Sequence, residues 1–179
     1  MEKFAYKLDD VDDAENIKSS SAGRDFDYYL VAGGGYTGIE VATNLRRYFN
    51  KKNSAKRIII VERAASILGP LPQWMKDYVL PNLKKMNIEI MTDTVISEVQ
   101  ERRVFLENGN VFDNSMLIWT AGVKCADFIQ GLDLKKNRQG RLEVDKFLKI
   151  NDSCFAAGDS ANFAFRQSSL RMAVQFAIV

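Results

Sequence analysis

Histidine is absent from these 179 residues, and cysteine occurs only twice, as Cys125 and Cys154. Without histidine the chain lacks the commonest metal ligand and the commonest general base. The two cysteines form no Cys-x-x-Cys pair, which argues against a redox dithiol, a zinc site and a disulfide scaffold. Reduced thiols are typical of cytoplasmic proteins, so we expect a cytoplasmic location.

The sequence also lacks long apolar runs and a large excess of charge. No apolar stretch approaches the roughly 18 residues of a membrane-spanning helix. The formal net charge is +2, which provides no strong attraction to nucleic acid or anionic lipid. We therefore expect a soluble protein that does not bind nucleic acid.

What is present indicates an α/β fold. The apolar run 28–32 predicts a buried strand, residues from about Thr37 predict an amphipathic helix, and the run 57–61 predicts a second buried strand. A strand, a helix and a strand within about 35 residues form a right-handed βαβ unit. The predicted fold class is α/β, a Rossmann-like parallel sheet with a small antiparallel β-meander.

The remaining elements are shorter. The pattern predicts a helix over 73–86 that Pro81 kinks or splits, and a strand over 88–91. Short β runs at 95–96, 104–106, 111–112 and 116–119, with Asn108-Gly109 as a hairpin turn, predict the meander. Further strands are expected near 142–144 and over 154–157, and the run 19–23 is interpreted as a linker after a short helix over 11–18.

The strongest motif is Gly33-x-Gly35-x-x-Gly38, which stands between the first strand and the first helix of the βαβ unit. In a dinucleotide-binding fold the first glycine allows the tight turn. The second lets the pyrophosphate approach, and the third lets the helix pack close to the strand. The loop residues Gly34, Tyr36 and Thr37 lie where backbone N–H groups bind the diphosphate.

Glu62 ends the second strand, 24 residues after Gly38. A carboxylate at this place accepts hydrogen bonds from the adenosine ribose and repels the 2′-phosphate of NADP. We therefore predict NADH rather than NADPH as the ligand. Arg63 is the neighbouring residue that could receive a 2′-phosphate, and a solvated surface role is the favoured interpretation for it.

These segments together resemble the type II (non-proton-pumping) NADH dehydrogenases, among the pyridine-nucleotide flavoprotein reductases. Five stretches carry the resemblance: the opening segment 5–14, the glycine motif 33–40, the run 118–123 with its Trp-Thr-Ala-Gly-Val turn, the run 140–145, and the run 155–159 ending in Gly158-Asp159. The resemblance implies a parent enzyme in which NADH gives a hydride to FAD, and the electrons pass to a quinone-type acceptor.

The resemblance also implies residue roles. Ala121, Gly122 and Val123 would lie along NADH, and Glu40, interpreted as standing in the first helical turn, would lie near the nicotinamide–flavin contact as the catalytic candidate. Asp159 with Gly158 would bind the FAD ribitol. Gln175 belongs to the quinone motif, where Arg171 replaces the expected first glutamine, so the acceptor stays open.

Only one GxGxxG motif is present, whereas the family has an earlier one for FAD. We therefore expect residues 1–25 to lead from a missing FAD domain, residues 26–150 to form the NAD(H)-binding domain, and residues 151–179 to return toward the FAD domain. The apolar run 170–179 ends without a helix cap, which favours a piece of a longer protein. Such a piece is expected to bind NADH without turnover and to hold no flavin tightly.

Two alternatives remain open. One is the NADH-binding domain of another flavoprotein reductase, of the NADH oxidase or ferredoxin reductase type. The other is a non-catalytic NADH-sensing module, which would equally need no catalytic acid, base or thiol. The oligomeric state is also open, with a homodimer among the candidates, as is attachment of the parent to the cytoplasmic face of a membrane.

Overall fold

The structure is a computed structural model that describes residues 4–69, 71–122, 125, 127–165, 168 and 169. The chain divides into two compact units, Met1–Gly122 and Val123–Val179. This division does not coincide with the predicted functional limits at residues 26 and 150, which stay predictions.

The first unit is built on a five-stranded parallel sheet. Its strands are β1 (Tyr6–Lys7), β2 (Tyr28–Ala32), β3 (Arg57–Val61), β4 (Ile88–Met91) and β8 (Ser115–Trp119), in the spatial order β1-β8-β2-β3-β4. The helices are α1 (Val11–Gly23), α2 (Tyr36–Lys51) and α3 (Gln73–Lys85). The three-stranded antiparallel meander is β5 (Ile96–Gln100), β6 (Arg103–Leu106) and β7 (Val111–Asp113). The predicted fold class is confirmed.

The sheet is buried on both faces because two different layers cover it. Tyr29 and Val31 of β2 pack in one apolar cluster with residues of the three helices, whereas Leu30 and Ala32 pack in another with residues of the meander. Strands covered on both sides are continuously apolar rather than alternating. This explains the unbroken apolar runs of β2 and β3.

The prediction that residues 116–119 belong to the meander was wrong. They lie in β8, which pairs in parallel with β2 in the register Leu30↔Leu117 and with β1 in the register Tyr6↔Ile118. Met116, Leu117 and Ile118 are fully buried. A strand buried on both faces is indistinguishable by periodicity from a short apolar run beside a turn.

The linker interpretation of residues 19–23 was also wrong, because α1 continues to Gly23. The helix starts at the N-cap Asp10, whose carboxylate accepts a hydrogen bond of 2.9 Å from the Asp13 N–H. Ile17 is buried in the helical cluster of the first unit. The helix thus continues past Ile17 through three serines, which have little helical preference of their own.

Pro81 does not split the third helix, because α3 runs without interruption from Gln73 to Lys85. The other predicted outcome, a kink at Pro81, stays a prediction. The side-chain amide of Asn82 donates a 2.7 Å hydrogen bond to the Tyr78 carbonyl oxygen. This bond satisfies a carbonyl group beside the place where proline removes a backbone donor. Leu83 holds the same turn in the core.

In the described residues of the second unit, the helices and strands are short. The unit contains α4 (Asp127–Gln130) and the short parallel pair β9 (Leu142–Glu143) and β10 (Ala161–Asn162). The pair β11 (Ala164–Phe165) and β12 (Ser168–Ser169) is antiparallel. The predicted strand 154–157 is only an isolated bridge between Phe155 and Lys149. A small apolar cluster that includes Cys125, Ile129 and Leu142 forms its core.

Candidate functional site

The glycine loop joins the carboxyl end of β2 to the start of α2. Gly33 has a φ of +110°, a conformation that side-chain-bearing residues rarely adopt. A Cβ atom there would also lie 3.2 Å from the Ala121 nitrogen. The Gly33 N–H donates a 2.9 Å hydrogen bond to the Val61 carbonyl oxygen, which fixes the loop to the neighbouring strand β3.

Gly38 allows α2 to pack directly on this loop. A Cβ atom on Gly38 would stand 1.9 Å from the Gly33 carbonyl oxygen, far inside any allowed contact. The helix therefore could not take its observed place with any other residue at this position. The role predicted for the third glycine of the motif, close helix–strand packing, has this steric basis.

Gly34 and Gly35 differ in what surrounds them. A Cβ atom on Gly34 would lie 2.7 Å from the Ile67 side chain, so this glycine is needed for packing of the loop that follows β3. The motif pattern did not predict that requirement. A Cβ atom on Gly35 would meet nothing within 4 Å, which leaves open space where a diphosphate would approach.

Gly35 is also the N-cap residue of α2, and no side chain caps the helix there. The first N–H groups of a helix have no partner within the helix and carry its positive dipole end. Tyr36 and Thr37, the first helical residues, are exposed. An uncapped and accessible helix start beside a glycine loop fits an anionic diphosphate.

Glu62 follows β3 and reaches across to the glycine loop. Its Oε2 atom accepts a 2.7 Å hydrogen bond from the Gly34 N–H, and its Oε1 atom accepts another of 2.7 Å from the Ala64 N–H. The carboxylate is thus oriented by two backbone donors. Sequence reasoning predicted a ribose ligand here and missed this second role, since no sequence signal shows which backbone groups a side chain will meet.

The turn that follows β8 lies beside the glycine loop at the carboxyl end of the sheet. The Thr120 hydroxyl donates a 2.8 Å hydrogen bond to the Ala32 carbonyl oxygen, and the Trp119 indole N–H donates one of 2.9 Å to the Ala121 carbonyl oxygen. Ala121 and Gly122 are exposed. The carboxyl ends of β2, β3 and β8 therefore meet at one edge of the sheet, which is where open α/β sheets bind ligands.

Glu40 lies in a different environment from these residues. It stands in the second turn of α2, since no acidic residue occupies the first turn, which corrects the predicted position. With Thr37 it lines a largely apolar cavity of about 360 Å³ between α1 and α2. Neither Glu62 nor the glycines line that cavity, and Arg63 is exposed.

Gly158 and Asp159 belong to the second unit. They form a short 3₁₀ turn in which Gly158 has a φ of +67°. The Asp159 carboxylate is about half exposed and lies 3.7 Å from the buried Arg141 guanidinium. Val123, Gln175 and the run 170–179, which includes Arg171, lie outside the described residues.

Among the described residues, no cluster of three or more potential metal ligands occurs. Within that part of the chain there is also no helix of the length and apolarity that a membrane span requires.

Comparisons with known proteins identify a family for this chain. Residues 1–177 match the family model described as pyridine nucleotide-disulphide oxidoreductase. A type II NADH:quinone oxidoreductase from Haemophilus influenzae is 29% identical over 166 residues, which cover 86% of this chain and 37% of the relative. The chain thus spans little more than a third of that relative's length.

Two solved structures are also similar. The reduced CoADR-RHD of Bacillus anthracis superimposes with a TM-score of 0.72 at 25% identity, covering 89% of this chain and 28% of that one. The NDH2 of Plasmodium falciparum in complex with NADH gives a TM-score of 0.70 at 22% identity, covering 89% and 40%. The resemblance inferred from the motifs is confirmed, and NAD(H) with FAD is the cofactor set that it supports. The chain belongs to the pyridine nucleotide-disulphide oxidoreductase family.

Proposed function

We propose that this chain is the NAD(H)-binding domain of an FAD-dependent NADH dehydrogenase. The observation that carries the proposal is the glycine loop. Gly35 faces open space at an uncapped helix start, and the Glu62 carboxylate is fixed beside it by two backbone N–H groups. A diphosphate and a ribose diol are the two chemical groups that such an arrangement binds.

In this proposal the backbone N–H groups of Gly35, Tyr36 and Thr37 hold the diphosphate. Each Glu62 oxygen already accepts one backbone bond and keeps a further lone pair for a ribose hydroxyl. A 2′-phosphate in that place would meet the carboxylate, so NADH is preferred over NADPH. Ala121 and Gly122 line the bound dinucleotide, Arg63 stays in solvent, and Glu40 acts near the nicotinamide.

The described residues fit NAD(H) more completely than FAD. They supply one dinucleotide loop, which NAD(H) occupies, and one exposed carboxylate turn at Gly158 and Asp159, which suits a ribitol hydroxyl. FAD, when bound, accepts the hydride of NADH. We propose that the chain by itself binds NADH without turnover, because these residues form only part of a flavin site.

The wider assignments are part of the same proposal. Residues 26–150 form the NAD(H)-binding domain, and residues 1–25 and 151–179 connect it to the FAD-binding part. A quinone is the proposed final acceptor, supported by the name of the Haemophilus influenzae relative. Gln175 would take part there. A cytoplasmic location, with the parent at the membrane face, is the corresponding site of action.

The test is a calorimetric titration of the chain with NADH and with NADPH. We expect NADH to bind at least tenfold more tightly, since a charge-assisted hydrogen bond contributes about 1.5–3 kcal/mol. The variant Gly35→Ala should weaken NADH binding because its methyl group enters the diphosphate space. Gly23→Ala is the matched control, since a Cβ atom there also meets nothing within 4 Å. Absence of heat with both nucleotides would overturn the proposal.

A further inference from the structure

The second unit contains a charged side chain in an unexpected place. Arg141 is only 1% exposed, yet it lies beside Leu142, which belongs to the small apolar cluster of this unit. A buried cation is costly unless an anion and hydrogen bonds compensate it. Arg141 Nη2 lies 3.7 Å from Asp159 Oδ1, and the Asp159 side chain is 56% exposed. One carboxylate therefore contacts both the buried guanidinium and the solvent.

A second buried group fixes the backbone of the same residue. The Cys125 thiol, in the cluster, donates a 3.3 Å hydrogen bond to the Asp159 carbonyl oxygen. Gly158 supplies the positive φ that the turn needs. Both the main chain and the side chain of Asp159 are thus held by buried groups from distant parts of the sequence.

Arg141 is itself held in place by a polar turn. The Asn137 side-chain oxygen accepts hydrogen bonds of 3.0 Å from the Arg141 N–H and 2.9 Å from the Gln139 N–H. The Asn137 amide donates a 3.0 Å bond to the Asn162 side chain in β10. The backbone of Arg141 is thus fixed, and its guanidinium lies on the Asp159 side of that turn.

We propose that Arg141 is a positioning residue, which orients the Asp159 carboxylate to accept a hydrogen bond from a polyol hydroxyl, the ribitol of a flavin. The inference rests on the proposed function, in which Asp159 binds that ribitol. The ion pair engages Oδ1 and leaves lone pairs of Oδ2 for the ligand hydroxyl. Arg141 does not touch the ligand.

The test compares riboflavin, which has a ribitol chain, with lumiflavin, which has none. Their affinities for the full chain are measured by saturation-transfer NMR, for wild type, Arg141→Met, Arg141→Lys and Asp159→Asn. We expect wild type to prefer riboflavin by roughly tenfold, as one charge-assisted bond allows. Arg141→Met and Asp159→Asn should each remove the preference, and the double variant should lose nothing further.

Arg141→Lys keeps the charge and should retain part of the preference, which loss of packing alone would not produce. It also carries the test if Arg141→Met does not fold. Equal affinity of wild type for the two flavins, including no binding of either, would overturn the inference, as would an unchanged preference in Arg141→Met. NADH titration of wild type separately tests the proposed function, so the two failures are distinguishable.

Discussion

The glycine loop of the first unit and the Gly158–Asp159 turn of the second hold a carboxylate by different means. Around the loop, the sheet is buried on both faces, and a Cβ atom on Gly38 would come within 1.9 Å of a backbone oxygen. Around the turn, the strands are two residues long. There a 3.7 Å ion pair and a thiol hydrogen bond hold Asp159.

The difference shows two ways to position a functional group. A close-packed interior resists any change of volume, so the loop cannot move without disturbing the core. Polar links constrain only the atoms that they join, so a change at the turn alters few contacts besides its own. A change that adds volume against the backbone of the loop, as at Gly38, should therefore affect stability and NADH binding together. A change at the turn should affect stability alone.

The largest expected effect is that of Gly38→Ala. Its methyl group would force α2 away from the loop, and overpacking of this kind costs typically 1–3 kcal/mol, occasionally more. We expect a loss at the upper end of that range in urea unfolding, together with loss of NADH binding by calorimetry. Gly35→Ala is the matched variant in the same loop, and it should weaken binding while the unfolding free energy falls by only about 0.5–1 kcal/mol, the cost of alanine at an N-cap. Equal destabilisation by both variants would contradict the steric account.

Tyr29, which is buried in the apolar cluster under the helices, should make the unfolding free energy depend on pH in the alkaline range. Burial raises the pKa of Tyr29 to about 12, from 10.0. The neutral phenol is favoured in the folded state, so its contribution is complete below pH 10 and is lost as the pH rises from 10 toward 12. The loss should reach about 2–3 kcal/mol, at 1.36 kcal/mol per pH unit.

Tyr29→Phe removes the titrating group and should flatten that part of the profile. The measurement is urea unfolding between pH 9 and 12, expressed as the difference between the two proteins. Parallel profiles would show that Tyr29 is ionised without cost in the folded protein.

Glu62→Gln tests the carboxylate of the first region. An amide keeps one acceptor oxygen, so one of the N–H groups of Gly34 and Ala64 loses its partner. We expect the unfolding free energy to fall by about 1–2 kcal/mol and NADH affinity to fall by roughly tenfold, whereas NADPH affinity should rise because the carboxylate no longer repels the 2′-phosphate. If Glu62→Gln were as stable as wild type and still preferred NADH, Glu62 would neither stabilise the glycine loop nor select NADH.

The smallest combined effect is expected in the second region, because stability should change there and NADH binding should not. Gly158→Ala places a side chain at a φ of +67°, which costs roughly 1–2 kcal/mol. Chemical unfolding should detect that loss, while calorimetry should find NADH binding unchanged. Weakened NADH binding in this variant would break the distinction between the two regions.

Much of the first unit could be predicted because its signals are local. The βαβ unit, the glycine loop and Glu62 follow from apolar runs and motif spacing within about 35 residues. Residues 116–119 were misplaced because β8 pairs with β2, which lies roughly 85 positions earlier in the chain. An apolar run in the sequence does not show which strand it will pair with. The last part of α1, residues 19–23, was missed because serine and glycine have low helical preference and are common in linkers.

The features of the site also differ in whether they depend on local sequence or on contacts between separate elements. Backbone conformation at Gly33 and close approach at Gly38 are properties of glycine in a strand–turn–helix, so they could be predicted. The contact of Gly34 with Ile67, the hydrogen bonds of Glu62 to the loop, and the cavity that Glu40 shares with α1 join separate elements. None of these contacts has a sequence signature.

The sequence alone determined that this is an α/β chain with one dinucleotide loop, because strand burial, helix amphipathicity and glycine spacing are local constraints on the backbone. Only the tertiary structure decided which strand ends meet, which backbone groups Glu62 orients toward, and that a buried arginine stands beneath Asp159. Those are contacts between residues distant in the chain, and their geometry depends on how whole layers pack.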